Sequence, residues 1–443
     1  MASHPMTPNA WHRNREGLGT WHGRGKVAAT GVGTSPTARR WDEKPETSMG
    51  ALTLIAIRKA IEDAGISPSE IDGIVITPES TTGVSNDPNT PPPEGWDQVF
   101  KMVDFPQAGI TRGDIDWILV NMPELTNVQF KMEGRGCMSV SFTTAAEAVA
   151  RGLTHTCLVI RGWHNLAGRY YVGQGAAASD TLSGPQKYGG LWGAPACAGT
   201  AFIFEEYCNK YGKNHDMMAP FIVEQRKNGL MNPDGFYSQH RPEMITVEDY
   251  LAGRWIAKPA NIYDNDLPMQ AALAVIMTTA ERAKDHKPPP AYVLTHAQTR
   301  PESQGVTPTL ESWERLSDKM GRMLYEGAGI GPDDLDFENM YDGFTLFHQF
   351  HLEGLRFGAN GEKGRGYALD LYQEDISITG PNPVSPSGGN NGNGRTRWWN
   401  HRDSILQIQG RSPSQISKPA NYGVSGAHMP HMCDSLIWAS SPD

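Results

Sequence analysis

The sequence predicts an α/β protein assembled from two related halves. Amphipathic helical stretches alternate with short apolar strands along the chain, the signature of layered helices and sheet. The phrase AGISPSEIDGI from Ala64 returns as AGIGPDDLDFE from Ala328, each time after an amphipathic helix and before an apolar strand. The strands are unbroken apolar runs, as expected where a sheet is covered on both faces.

The elements follow in order. Residues 1 to about 25 mix His, Trp, Gly and Arg without periodicity and read as an extension lying on a partner or on the domain itself. KVAATGVGT from Lys26 is a short strand. SMGALTLIAIRKAIEDAGI then places Leu54, Ile57, Ile61 and Ala64 on one helical face, with Gly65 ending the helix. Ile74 to Ile76 form the next strand. Between Ser80 and Pro106 the composition is that of a surface loop, and residues 165 to 195 form a Gly-rich excursion. SFTTAAEAVARG predicts a helix leading to a strand at Cys157 to Ile160, TAFIFEEYCNKYG another helix, and AYVLTHAQ and LDFENMYDGF further strands. QAGITRGDIDW near Ala108 is a third, partial copy of the repeated phrase. The expected division is an extension over 1–25, a first half over 26–285 with an inserted loop region, and a second half over 286–443.

At 443 residues two fused α/β units bury an ample core without disulfide or metal staples. A formal net charge of -10 argues against nucleic acid as the main partner. The five cysteines form no CxxC pair, which points away from a zinc ribbon and towards a reducing cytoplasm. No apolar run reaches the length of about 18 residues needed to span a membrane, so neither export nor a membrane span is expected.

Three stretches carry a resemblance: ALTLIAIRKAIEDAGISPSEIDGI, NPDGFYSQHRPEMITVEDYLAGRWIAKPANIYDNDLPMQAALAVIMTTAERA, and AGIGPDDLDFENMYDGFT. Through them the chain resembles the lipid-transfer-protein branch of the thiolase superfamily, which includes the sterol-carrier thiolases and the bacterial steroid side-chain aldolases. The resemblance implies a five-layered αβαβα thiolase fold, a dimer through the first half, and acyl-CoA thioesters as substrates. It implies no cofactor beyond coenzyme A as part of the substrate. The chain departs from ordinary thiolases at their nucleophilic cysteine, their G-H-P histidine and their second cysteine.

Cys137 sits in EGRGCMSVSF, about two residues from the place the family's nucleophile would take. A thiol at a helix N-terminus suits acyl transfer; the other reading is a small buried cysteine. Tyr341, in MYDGF, stands where aldolase-like members carry a tyrosine beside the reacting thioester. A phenol there can shuttle a proton, provided that Asp342 points elsewhere; the other reading is a core tyrosine with a satisfied hydroxyl. Gly388 and Gly389 correspond to the family's N-P-S-G-G segment and would let backbone approach a ligand. Arg395 falls near the family histidine, where it would polarise a carbonyl or bind a CoA phosphate. Alternatively Arg395, Arg397, Arg402 and Arg411 form a solvated basic face. YGVSGAHMPHMCDSLIW resembles the terminal glycine loop and strand, with Gly423 at the second cysteine's place and the amides around Ser425 and Gly426 as candidate oxyanion donors. His428 and His431 have HxxH spacing, but Pro430 between them favours a loop, and no metal site is expected. HQFH at His348 to His351 reads as one helix face.

These losses point to a carbon-carbon lyase, in retro-aldol cleavage of a 3-hydroxyacyl-CoA with a steroid or other bulky side chain to a ketone or aldehyde and a short acyl-CoA. Such chemistry needs no acyl-enzyme. The alternatives are an acyltransferase using Cys137, or a non-catalytic thiolase-fold subunit of a complex. The resemblance also implies a small OB-fold and zinc-ribbon partner bound around a homodimer.

Overall fold

The computed structural model describes residues 13–77, 91–105, 107–134, 139–163, 197–299, 309–359, 364–429 and 432–443. In chain order the elements used below are strand β1 (Val27–Thr34), helix α1 (Met49–Ala64), β2 (Gly73–Thr77), β3 (Phe130–Glu133), α2 (Val140–Ala150), β4 (Thr156–Trp163), α3 (Ala198–Tyr211) and α4 (Ala219–Met231). A small ribbon of β5 (Trp255–Ala257) and β6 (Ala260–Asn261) precedes β7 (Ala271–Thr279), β8 (Ala291–Gln298), α5 (Leu310–Ala328), β9 (Phe337–Met340) and α6 (His348–Leu355). Last come α7 (Gly389–Asn393), α8 (Trp399–Ile408), β10 (Tyr422–Met429) and β11 (Met432–Ala439).

Local chemistry sets the element ends. The Ser48 hydroxyl caps α1 by accepting from the Ala51 amide at 3.2 Å, and Gly65, at φ +71°, closes it with its amide on the Ile61 carbonyl. At α5 the Thr309 hydroxyl and Gly329, at φ +70°, do the same. The repeated phrase then folds the same way twice. After each αL glycine a single 3-10 turn forms, Pro68–Glu70 or Pro332–Asp334. In each, the carboxylate three residues on accepts a backbone amide at 2.7 Å, Ser67 to Glu70 and Gly331 to Asp334. The stretch near Ala108 does not repeat this: Asp114 caps a separate helix, Ile115–Asn121.

Among the described residues all strands except the β5–β6 ribbon join one nine-stranded sheet, ordered β3-β2-β4-β7-β1-β8-β11-β10-β9. Its seam is the short antiparallel contact of β1 with β8, Ala28 opposite Tyr292 and Ala29 opposite Ala291. Outward from the seam both sides read alike: two antiparallel pairings, β1 to β7 to β4 and β8 to β11 to β10, then one parallel pairing, β4 with β2 and β10 with β9. Helix α1 covers the first set of strands and α5 the second, while α2 and α8 lie between and touch strands of both. That is the five-layered αβαβα arrangement of the thiolase fold.

Residues 13–25 lie on the domain itself. The Trp21 amide donates to the Gly327 carbonyl at 2.8 Å, and its indole reaches the buried Glu147 carboxylate on α2 at 2.7 Å. Among the described residues no helix is long and apolar enough to cross a membrane.

Candidate active site

The candidate residues gather where the parallel strands β9 and β10 end. Tyr341 follows β9 directly, and its amide donates to the Gly426 carbonyl at 2.8 Å, carrying the ladder one residue past the strand. Its carbonyl accepts from His351 Nε2 at 3.0 Å, while His351 Nδ1 accepts the His428 amide at 3.2 Å. These partners assign His351 as the neutral Nε2-H tautomer, and burial together with His428 and His348 holds it well below the usual histidine range. The HQFH pair thus lies on a helix, as its spacing predicts, with both imidazoles buried.

The Tyr341 ring is buried and stacks on Phe347 with centroids 5.6 Å apart. Its hydroxyl lies against Gly343, where a Cβ would overlap it and sit 2.7 Å from Asp266 Oδ2. The phenol and the Asp266 carboxylate therefore border the same point. Behind Asp266 stands Arg395, its Nε 3.6 Å from Asp266 Oδ2, with both side chains buried. The reading of a solvated basic face fails here. Arg402 likewise pairs with Asp234 at 2.6 Å and Arg411 with Asp63 at 2.9 Å, because each faces a carboxylate from a distant segment.

Asp342 does point away from the phenol. Its oxygens accept from the Asn390 and Asn391 amides, each at 2.8 Å, and from Gln225 Nε2 at 2.8 Å. Burial raises its carboxyl above the ordinary value against the pull of these donors. The segment around α7 is further pinned by Asn393, whose side-chain amide donates to the Ser387 and Gly389 carbonyls at 2.7 and 2.8 Å. Gly388 and Gly389, at φ +74° and +59°, do bring backbone close, but to protein. A Cβ on Gly388 would sit 2.6 Å from Gly229 Cα of α4, and one on Gly389 would meet the Asp342 carboxylate. Their expected role against a ligand is replaced by close packing.

Ser425 and Gly426 lie inside β10, with Asn339 and Met340 on one side and Leu436 and Ser435 on the other, rather than in a glycine loop. Their backbone belongs to the sheet ladder, which corrects the expected oxyanion role. The Ser425 hydroxyl is engaged too, in a directional chain. Trp438 Nε1 donates to Ser425 Oγ at 2.8 Å, and Ser425 Oγ meets His401 Nδ1 at 2.7 Å. His401 Nε2 meets Ser139 Oγ at 3.0 Å, and Ser139 donates to the Asp434 carbonyl at 3.1 Å. Burial, helped by Arg161, lowers His401 to about 3, so it stays neutral.

Cys137 and His431 lie outside the described residues. His428 is on β10, and burial lowers it to about 3. Among the described residues no group of three or more His, Cys, Asp or Glu side chains is arranged to hold a metal. Asp266 and Asp434 carry no local motif that marks them in the sequence, and His401 lies six residues beyond Arg395, near the place of the family histidine.

The family profile described as Thiolase C-terminal domain-like matches residues 304–414. The steroid side-chain-cleaving aldolase of Thermomonospora curvata is 26% identical over 410 residues, covering 90% of this chain and 94% of that protein. The 17-hydroxy-3-oxo-4-pregnene-20-carboxyl-CoA lyase of Mycobacterium tuberculosis is 26% identical over 406 residues, covering 89% and 94%. A solved structure titled Ltp2-ChsH2(DUF35) aldolase superposes with a TM-score of 0.72 at 22% identity over 94% of this chain and 98% of its own, a likeness of fold. The chain thus has the fold of the thiolases, matches the Thiolase C-terminal domain-like family over residues 304–414, and is similar along nearly its whole length to the aldolase and the lyase named above.

Proposed function

We propose that this protein is a carbon-carbon lyase that cleaves a 3-hydroxyacyl-CoA bearing a steroid or other bulky side chain into a ketone or aldehyde and a short acyl-CoA. The observation that carries the reading is the buried Tyr341 hydroxyl set at one point with Asp266, with Arg395 behind it. The names of the two full-length relatives support the substrate class.

In this reading Tyr341 takes the proton of the substrate 3-hydroxyl as its own proton passes to Asp266. Arg395, always protonated, supplies the counter-charge. The Cα–Cβ electron pair moves into the thioester as an enolate, the 3-carbon leaves as a carbonyl, and one proton returns to Cα. Protons balance, and no covalent intermediate forms. Turnover of a panel of 3-hydroxyacyl-CoA and 3-ketoacyl-CoA thioesters tests this: cleavage of the hydroxy substrates is expected, and CoA-dependent thiolysis of the keto substrates contradicts it. Loss of such thiolysis in Cys137→Ala would establish the acyltransferase instead, and acyl-CoA binding without turnover would favour a non-catalytic subunit.

The assembly belongs to the same proposal: a cytoplasmic homodimer, with halves 26–285 and 286–443 in each chain, carrying a small OB-fold and zinc-ribbon protein. The two-component name of one solved neighbour, the Ltp2-ChsH2(DUF35) aldolase, supports a partner. Full activity of the purified chain as a homodimer, with nothing copurifying, contradicts this.

A further inference from the structure

The lyase reading leaves open which group returns a proton to the α-carbon. The buried carboxylates near the ends of β9 and β10 are nearly all satisfied. Asp342 holds two amides and Gln225. Asp403 accepts from Ser412, Asn339 and Gln407. Glu338 accepts the Met340 and Ser385 amides at 2.8 and 2.9 Å. Asp434 is different: it is fully buried, and the groups that face its carboxyl, the Ser139 hydroxyl and the Ser139 and Val140 amides, all come from the start of α2, with no contact among the described residues from the loops that pin Asp342, Asp403 and Glu338. Such a carboxyl is held by one helix end on one side of the sheet.

Its position gives it a use. In the sheet register Asp434 stands opposite Ala427, and Gly426 stands opposite Met340. Tyr341 extends the β9 ladder by one residue through Gly426, so Tyr341, Ala427 and Asp434 occupy one row across three strands. Two strand spacings put the outer backbones about 10 Å apart. The middle position carries only a methyl group. We propose that Asp434 is the acid of the cleavage reaction, delivering its carboxyl proton to the α-carbon of the enolate while the 3-hydroxyl end lies at Tyr341; this rests on the lyase reading. The carboxyl O–H breaks, the Cα–H bond forms from the enolate pair, and the resulting carboxylate is reprotonated by solvent before the next turnover.

The surroundings suit an acid. Asp434 faces the start of α2 at Ser139 and Val140, with buried Arg161 of β4 as the nearby charge, and His401 of α8, kept neutral by burial, is linked to it through Ser139. Burial raises the carboxyl to about 7, although the Ser139 and Val140 amides, the Ser139 hydroxyl and Arg161 pull the other way.

The test separates the two proton transfers. In D2O the short acyl-CoA product should exchange its α-hydrogens on the wild-type enzyme, read by mass spectrometry. Asp434→Asn should slow both exchange and cleavage by about 100-fold or more. Tyr341→Phe should lose cleavage but keep exchange within about threefold of wild type, because the 3-hydroxyl plays no part in it. Wild-type cleavage should also fall as pH rises through the Asp434 range, a limb that Asp434→Asn lacks. Exchange and cleavage at wild-type rates in Asp434→Asn overturn the proposal and leave the lyase standing; no cleavage of any 3-hydroxyacyl-CoA by wild type removes the lyase reading itself. Should Asp434→Asn not fold, the wild-type profile decides, and a chemical step that is flat from about pH 6 to pH 8 overturns the assignment.

Discussion

The Tyr341 amide and the Gly426 carbonyl meet at 2.8 Å, and that bond ties the candidate catalytic phenol to β10. Gly426 has φ +144°, which other residues rarely adopt, and a Cβ there would run into the Asp434 carbonyl and sit 2.5 Å from Ser435 Cα. Gly426→Ala is therefore expected to destabilise the fold by about 1–3 kcal/mol in denaturant titration. It should also lower turnover well beyond the loss of folded protein, because a shift of about 1 Å at a reacting group costs on the order of 100-fold.

Glu147, buried on α2, accepts from His296 Nε2 at 2.8 Å, Arg151 Nε at 2.8 Å and Trp21 Nε1 at 2.7 Å. Burial alone would raise its carboxyl, but His296, Arg151 and Trp21 outweigh it and hold the group at about 2. A depressed folded value means stability that is present above the ordinary carboxyl range and is lost as pH falls from about 4.5 towards about 2. The shift corresponds to about 3 kcal/mol. Glu147→Gln should lose a comparable amount at neutral pH, and its stability should vary less than that of wild type across that acid window. Equal stability of the two proteins at neutral pH would show that the contact between the extension and α2 contributes nothing.

Thiol chemistry gives a third expectation. Cys157, Cys197, Cys208 and Cys433 are buried, and burial pushes the Cys197 and Cys208 thiols up to about 11 and about 12. Such thiols are poor nucleophiles at neutral pH. Iodoacetamide should therefore leave cleavage within about twofold of the untreated rate. Rapid inactivation that Cys137→Ala abolishes would place a reactive thiol at the site.

Much of the fold was legible because its signals are local. The repeated phrase encodes an αL glycine, a proline-led turn and a carboxylate three residues on, and each piece acts within a few residues of itself. The site was legible only in part. Tyr341 could be found through a short motif, whereas Asp266 and Asp434 acquire meaning from partners that the sheet brings from other segments. Arg395, Arg402 and Arg411 read as a solvated face because the carboxylates that pair with them, Asp266, Asp234 and Asp63, lie far away in sequence. Gly388 and Gly389 read from sequence as points where backbone approaches a ligand, whereas α4 and Asp342, which local sequence does not announce, are what stand against them.

In the proposed reaction the Tyr341 hydroxyl moves the proton that starts cleavage. The most direct measurement is single-turnover cleavage of a 3-hydroxyacyl-CoA by wild type, Tyr341→Phe and Cys137→Ala, with melting curves confirming that all three are folded. The account predicts a loss of at least about 100-fold in Tyr341→Phe and a rate within about twofold of wild type in Cys137→Ala. A Tyr341→Phe variant that cleaves at the wild-type rate would contradict it.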